Sequence, residues 1–155
     1  MDEQALLELV NYAWDTMFQP STRDRVAQIV AKRKSEGRLA ILVSATYEPF
    51  LEPAKHRFLF DEVIGTRVEV RDGRVTGRVL GKVVTGPEKV NRVMSLVRRL
   101  TPPIDLQESL AYADTERDLD LLELVGNPVA VWPNRRLERV AQHRGWPIVR
   151  DSEPS

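Results

Sequence analysis

A chain of 155 residues is long enough for one domain with its own hydrophobic core. Its 23 Lys and Arg balance 23 Asp and Glu, so the formal net charge is zero and supplies no electrostatic footprint for nucleic acid or an anionic membrane surface. The absence of cysteine removes disulfides, thiolate chemistry and cysteine zinc sites together.

No basic start follows Met1, and no apolar run approaches the roughly 20 residues of a spanning helix, so a cytoplasmic location is expected. Leu6, Leu9, Val10, Ala13, Trp14 and Met17 recur at three- and four-residue spacing and predict an amphipathic first helix, ended by Pro20. A second helix is predicted to open at Ser21 or Thr22, to turn Val26, Ile29 and Val30 inward and to stop at Gly37. Leu39 to Val43 is continuously apolar, the pattern of a buried strand covered on both faces of a parallel sheet. A turn at Glu48-Pro49 leads into a short helical stretch to about Phe60, then a candidate strand from Glu62 to Gly65. Arg67 to Arg71 and Arg74 to Arg78 alternate apolar and polar residues around Asp72-Gly73, which predicts an antiparallel hairpin.

Gly86-Pro87 starts a helix that would bury Val90, Val93, Met94, Val97 and Leu100 and end before Pro102-Pro103. Leu110 to Ala113 is a short apolar strand. Leu119 to Val125 is a helix closed by Gly126, Pro128 to Val131 a strand, Arg135 to Arg144 a helix followed by Gly145, and Pro147 to Val149 a last strand. Alternation of this kind predicts a three-layer α/β fold of mainly parallel strands with right-handed crossovers. The hairpin is its small antiparallel insert, and Asp151 to Ser155 is expected to fray.

The sharpest chemical feature is Asp114-Thr-Glu-Arg-Asp118, which places two carboxylates between a strand and a helix. Open α/β sheets bind ligands and ions at that position. The same residues also suit a helix N-terminus, where Asp and Thr cap and acids complement the macrodipole. Ser44 lies in the run Leu42-Val-Ser-Ala-Thr46, at the corresponding edge if the strands are parallel. Its hydroxyl suits either a phosphoryl oxygen or a strand-end turn. Lys89 stands in the first turn of a helix, against the macrodipole. It is either a solvated lysine or the partner of a carboxylate near Asp114 and Asp118, presenting positive charge to a phosphoryl group. His56, between Lys55 and Arg57, and His143, ahead of Arg144 near a helix C-terminus where a cation is welcome, read as surface residues, and Trp14, Trp132 and Trp146 as packing residues of the core or rim.

Taken in order, Val43-Ser44-Ala45, the hairpin, Gly86-Pro-Glu-Lys89 and Tyr112-Ala-Asp114 with Asp118 resemble the second, third and fourth motifs of haloacid-dehalogenase-like hydrolases. Asp61 to Thr66, Thr76-Gly77, Val129 to Val131, Pro133 and Arg144-Gly-Trp-Pro147 resemble the phosphoserine-phosphatase-like branch. The likeness runs from about Ser21 to Val149. It implies a Rossmann-like sheet and a magnesium-dependent phosphomonoesterase acting on a small phosphorylated metabolite. By that likeness Ser44 and Lys89 would bind the phosphoryl group, and Asp114 and Asp118 would anchor magnesium. A strand-end aspartate would attack phosphorus, with a second aspartate two residues later as general acid and base.

The first motif of that family, Asp-x-Asp-x-Thr at the end of an apolar strand, occurs nowhere in the 155 residues. The central strand that carries it and most of the helical cap are therefore expected to be missing. Residues 1–20 would be the remnant of the cap, 21–150 the core domain and 151–155 a tail. Trp132 stands where relatives often carry a polar residue. A sheet without its central strand leaves backbone groups unpaired. Three outcomes stay open: the flanking strands pair directly, another copy or a partner chain completes the sheet, or the sequence is a truncated product. The expected function is a phosphatase core inactive as this chain alone, a non-catalytic partner or regulatory module, or part of a full-length or split enzyme.

Overall fold

The computed structural model describes residues 2–16 and 20–150. They fall into two compact units that divide between Val84 and Thr85. The expected tail at 151–155 and Met17 of the first-helix stripe lie outside the described residues. Among the described residues, no helix is long and apolar enough to cross a membrane.

In the first unit, α1 (Glu3–Thr16) buries Leu6, Val10 and Trp14 against Ala54 and Phe58. The Trp14 indole donates to the Phe50 carbonyl at 2.7 Å, and its ring meets Phe58 at 5.6 Å between centroids. Leu9, expected on the inward face, is exposed together with Leu7 and Tyr12, because the contact with Phe58 and Ala54 centres on the Leu6-Val10-Trp14 line. The next described element is α2 (Pro20–Ser35), and the expected end of the first helix just before Pro20 falls on residues 17–19, outside the described residues.

The first sheet pairs β1 (Ile41–Tyr47) with β2 (Glu62–Thr66) in parallel, with Val43 opposite Ile64 and an irregularity before Tyr47. Between them lie the short helices α3 (Glu48–Leu51) and α4 (Pro53–Phe58). The expected buried strand at Leu39 to Val43 is corrected in position and burial. Leu39 is exposed, Ile41 to Ser44 are half-buried, and the fully buried run is Val63 to Thr66 of β2. The physical reason is cover: β2 lies against α3, where Gly65 approaches Glu48 and Leu51, and Thr66 bonds Val84; among the described residues β1 hydrogen-bonds to β2 alone. The hairpin of β3 (Val68–Arg71) and β4 (Arg74–Val79) turns through Asp72 and Gly73, both at positive φ as a type I′ turn requires.

In the second unit, α5 (Pro87–Arg99) buries Val93 and Leu96, while Val90, Met94, Val97 and Leu100, expected inside, are half-buried. A parallel sheet follows, in the order β5 (Leu110–Ala113), β6 (Asn127–Val131), β7 (Ile148–Val149). Its core joins Ala111, Ala113 and Ala130 to Leu122 of α6 (Leu119–Glu123) and to Leu137 and Ala141 of α7 (Arg135–Arg144). Small residues on the strands let the helices approach closely. Gly126 is required where it stands: a Cβ there would lie 1.9 Å from the Gln107 carbonyl oxygen. The architecture is the α/β fold expected, with mainly parallel pairing and one antiparallel hairpin. Like β1, β5 pairs on one side only among the described residues, so pairing with a further described strand is not how that edge is satisfied.

Candidate active site

The C-terminal edge of β5 delivers the acidic loop. After Ala113 the chain leaves the sheet, and the Asp114 carbonyl accepts the Asn134 N–H at 2.8 Å. Thr115 then starts a single 3-10 turn over Glu116–Asp118, its hydroxyl oxygen accepting the Arg117 N–H at 3.1 Å, and α6 follows directly. The capping role open to the two aspartates is therefore taken by Thr115. Asp118 occupies the position before α6 without a side-chain capping bond, and the Asp114 side chain is exposed.

Asp118 has a different partner. Lys89 Nζ donates to its Oδ1 at 2.5 Å, with the side chains 11% and 15% exposed. Lys89 reaches it from the first turn of α5, after Gly86 has turned the chain at φ 49° and ψ −126°. The cation that opposes its own helix dipole is thus held by a carboxylate 29 residues away. An ammonium has three donors, and this contact uses one.

Two further side chains complete the loop, and neither stood out in the sequence. Glu116 Oε2 accepts from Asn134 Nδ2 at 2.6 Å and from the Thr115 hydroxyl at 3.2 Å, and Oε1 accepts from Arg136 at 3.3 Å. The Asn134 amide, then a backbone N–H, hold the Glu116 carboxyl below its ordinary range. Asn134 also caps α7, accepting the Leu137 N–H at 3.0 Å. An Asn ahead of a helical run was a readable cap signal. Nothing in the sequence marked Glu116. Trp132, the residue after β6, stands at φ 40° and is half-buried.

Ser44 belongs to the first unit, half-buried at the middle of β1. Its Oγ accepts the Thr46 N–H at 3.2 Å, and the expected strand-end position is corrected, since β1 continues to Tyr47. The next carbonyl, that of Ala45, accepts from the Thr66 hydroxyl at 2.7 Å. Lys89 and Asp118 are therefore in contact, with Asp114 on the same loop, while Ser44 lies in the other unit. His56 and His143 are exposed.

Among the described residues, no group of three His, Cys, Asp or Glu side chains is placed to hold a metal ion by itself. The donor set of Asp114 and Asp118 nevertheless fits magnesium in kind. That ion takes hard oxygens, and one or two carboxylates commonly hold it together with water and substrate phosphate.

The model of the family described as haloacid dehalogenase-like hydrolase matches residues 2–123. A histidinol-phosphatase of Neisseria meningitidis serogroup C (strain 8013) is 33% identical over 123 residues, 78% of this chain and 55% of its own length. A phosphoserine phosphatase of Mycobacterium tuberculosis is 30% identical over 143 residues, 92% of this chain and 46% of its own. A protein of unknown function from Bordetella pertussis Tohama I superposes with a TM-score of 0.86 at 29% identity, covering 97% of this chain and 68% of that one. The chain spans about half the length of the curated relatives it matches. With motif order, fold and relatives in agreement, the chain belongs to the haloacid dehalogenase-like hydrolases, on their phosphoserine-phosphatase-like branch.

Proposed function

We propose that this chain is the anion- and metal-binding part of a magnesium-dependent phosphomonoesterase acting on a small phosphorylated metabolite. The observation that carries the reading is the Lys89–Asp118 pair on the loop that also bears Asp114, at the C-terminal edge of a parallel strand. Asp118 fixes the ammonium, whose remaining donors are available to a phosphoryl oxygen. The family resemblance gives Ser44, in the first unit, a phosphoryl-binding role through its hydroxyl. Asp114 and Asp118 are the carboxylates that would hold magnesium, which when bound neutralises charge on the transferring group. The 155 residues contain no Asp-x-Asp-x-Thr, so attack at phosphorus has no such side chain to perform it, and the chain by itself is expected not to turn over. The test is phosphate release from p-nitrophenyl phosphate and phosphoserine with magnesium, alongside a magnesium titration. Binding lost in Asp114→Asn with no turnover supports the reading. Turnover abolished by Asp114→Asn would refute the inactivity, and absence of any magnesium binding would refute the metal assignment.

A second reading is a non-catalytic module completed by another copy or a partner chain. It is favoured by β1 and β5, each paired on one side only among the described residues. Unpaired strand edges are templates for a further strand. Light scattering of the purified chain separates the readings: a stable oligomer favours the module, a monomer at all concentrations opposes self-completion.

A further inference from the structure

We infer that Asn134 and Glu116 are positioning residues that hold the Asp114–Asp118 loop in the shape its carboxylates need. The inference rests on the proposed metal role of that loop and names residues outside the family motifs.

The Asn134 side chain does two things at once. Its Oδ1 accepts the Leu137 N–H at 3.0 Å, and its Nδ2 donates to Glu116 Oε2 at 2.6 Å. The orientation of the amide follows from its partners, since the reverse would set oxygen against a carboxylate and an NH2 against an N–H. The Asn134 backbone N–H meets the Asp114 carbonyl at 2.8 Å. The start of α7 is therefore tied to the loop at its first residue by backbone and at its middle by a side chain. Arg136 adds a contact to the other oxygen of Glu116. Within the loop, the Asp118 N–H meets the Thr115 carbonyl at 3.1 Å, so movement at Glu116 propagates to the residue that carries the second carboxylate. The capping bond alone does not require an amide, because Ser or Asp accepts an N–H equally well. The donor to Glu116 does require it. Magnesium tolerates little departure from octahedral geometry, and contacts that orient ligands typically change metal affinity about 10- to 100-fold.

The test uses the full chain and magnesium ion alone, followed by amide chemical shifts, with hydrogen exchange measured first without metal. Asn134→Ser keeps the cap and removes the donor. It is expected to speed exchange at the Asp118 and Asn134 amides several-fold and to weaken magnesium about 10-fold, with α7 still protected. Asn134→Asp, which sets a carboxylate against Glu116, should weaken it further. Glu116→Gln keeps an acceptor for Asn134 and should retain affinity within about threefold of the parent, well above that of Asn134→Ser. Unchanged exchange and unchanged affinity in Asn134→Ser would overturn the inference. If the parent binds no magnesium, the functional reading fails, and metal-free exchange still decides: faster exchange supports the positioning pair, and unchanged exchange overturns it.

Discussion

Lys89 and Asp118 meet at 2.5 Å with little of either side chain exposed, and each depends on the other for a counter-charge. Removing one partner of such a pair strands the other in poor solvent. Lys89→Met is expected to cost about 3 kcal/mol at neutral pH, and Lys89→Met with Asp118→Leu to recover much of that loss. Urea denaturation of the three proteins checks it. A single-variant loss below about 0.5 kcal/mol would instead mark the pair as an ordinary solvated contact.

Asp61 makes stability depend on acid. Burial acts to raise its carboxyl, but the Ala40 N–H at 2.7 Å and the Lys34 ammonium at 2.5 Å outweigh it and hold the group below the usual aspartate range. A folded value below the unfolded one stabilises fully above the unfolded value of about 3.9, and the contribution is lost as pH falls through the folded value. Between about pH 5 and pH 2 the parent should therefore lose more stability than Asp61→Asn, while at pH 7 the variant is less stable by about 1–2 kcal/mol. Parallel pH–stability profiles would refute this.

Thr66 is 1% exposed and satisfies two backbone groups: its hydroxyl donates to the Ala45 carbonyl at 2.7 Å and accepts the Val84 N–H at 3.0 Å. Thr66→Val leaves both groups without that partner and is expected to cost about 1–3 kcal/mol. Thr66→Ser, which keeps the hydroxyl, should cost less. Gly65→Ala should be worse than either, since a Cβ would meet the Thr46 carbonyl oxygen at 2.7 Å and Leu51 at 2.8 Å. Thermal melts rank the three, and a Thr66→Val variant as stable as the parent would contradict the hydrogen-bond account.

Leu59 offers a stabilising change. It closes α4 at φ 60° and ψ 32° while 59% exposed, so a branched side chain sits in the left-handed region and buries little in return. Leu59→Asn should gain about 0.5–1 kcal/mol, and Leu59→Gly less because glycine also enlarges the unfolded ensemble. A fall in melting temperature for Leu59→Asn would show that the leucine packs more than its exposure implies.

The elements legible in the sequence were those with local punctuation. α7 runs from Arg135 to Arg144 as expected because Asn134 caps it and Gly145 closes it at positive φ. β5 spans Leu110–Ala113 as expected, and the hairpin turns at Asp72-Gly73. Where no local signal decided, boundaries moved: β1 starts at Ile41 and extends to Tyr47.

Motif order and spacing determined the family, and short-range rules of capping, turn chemistry and periodicity determined most elements, since these act over a few residues. Tertiary structure alone decided which residues meet. It set Lys89 on Asp118, Glu116 on Asn134 and Thr66 on Val84, and it put Leu9 outside the α1 contact. Such contacts join positions far apart in the chain, and their partners are selected by how helices and strands pack, which no local pattern encodes.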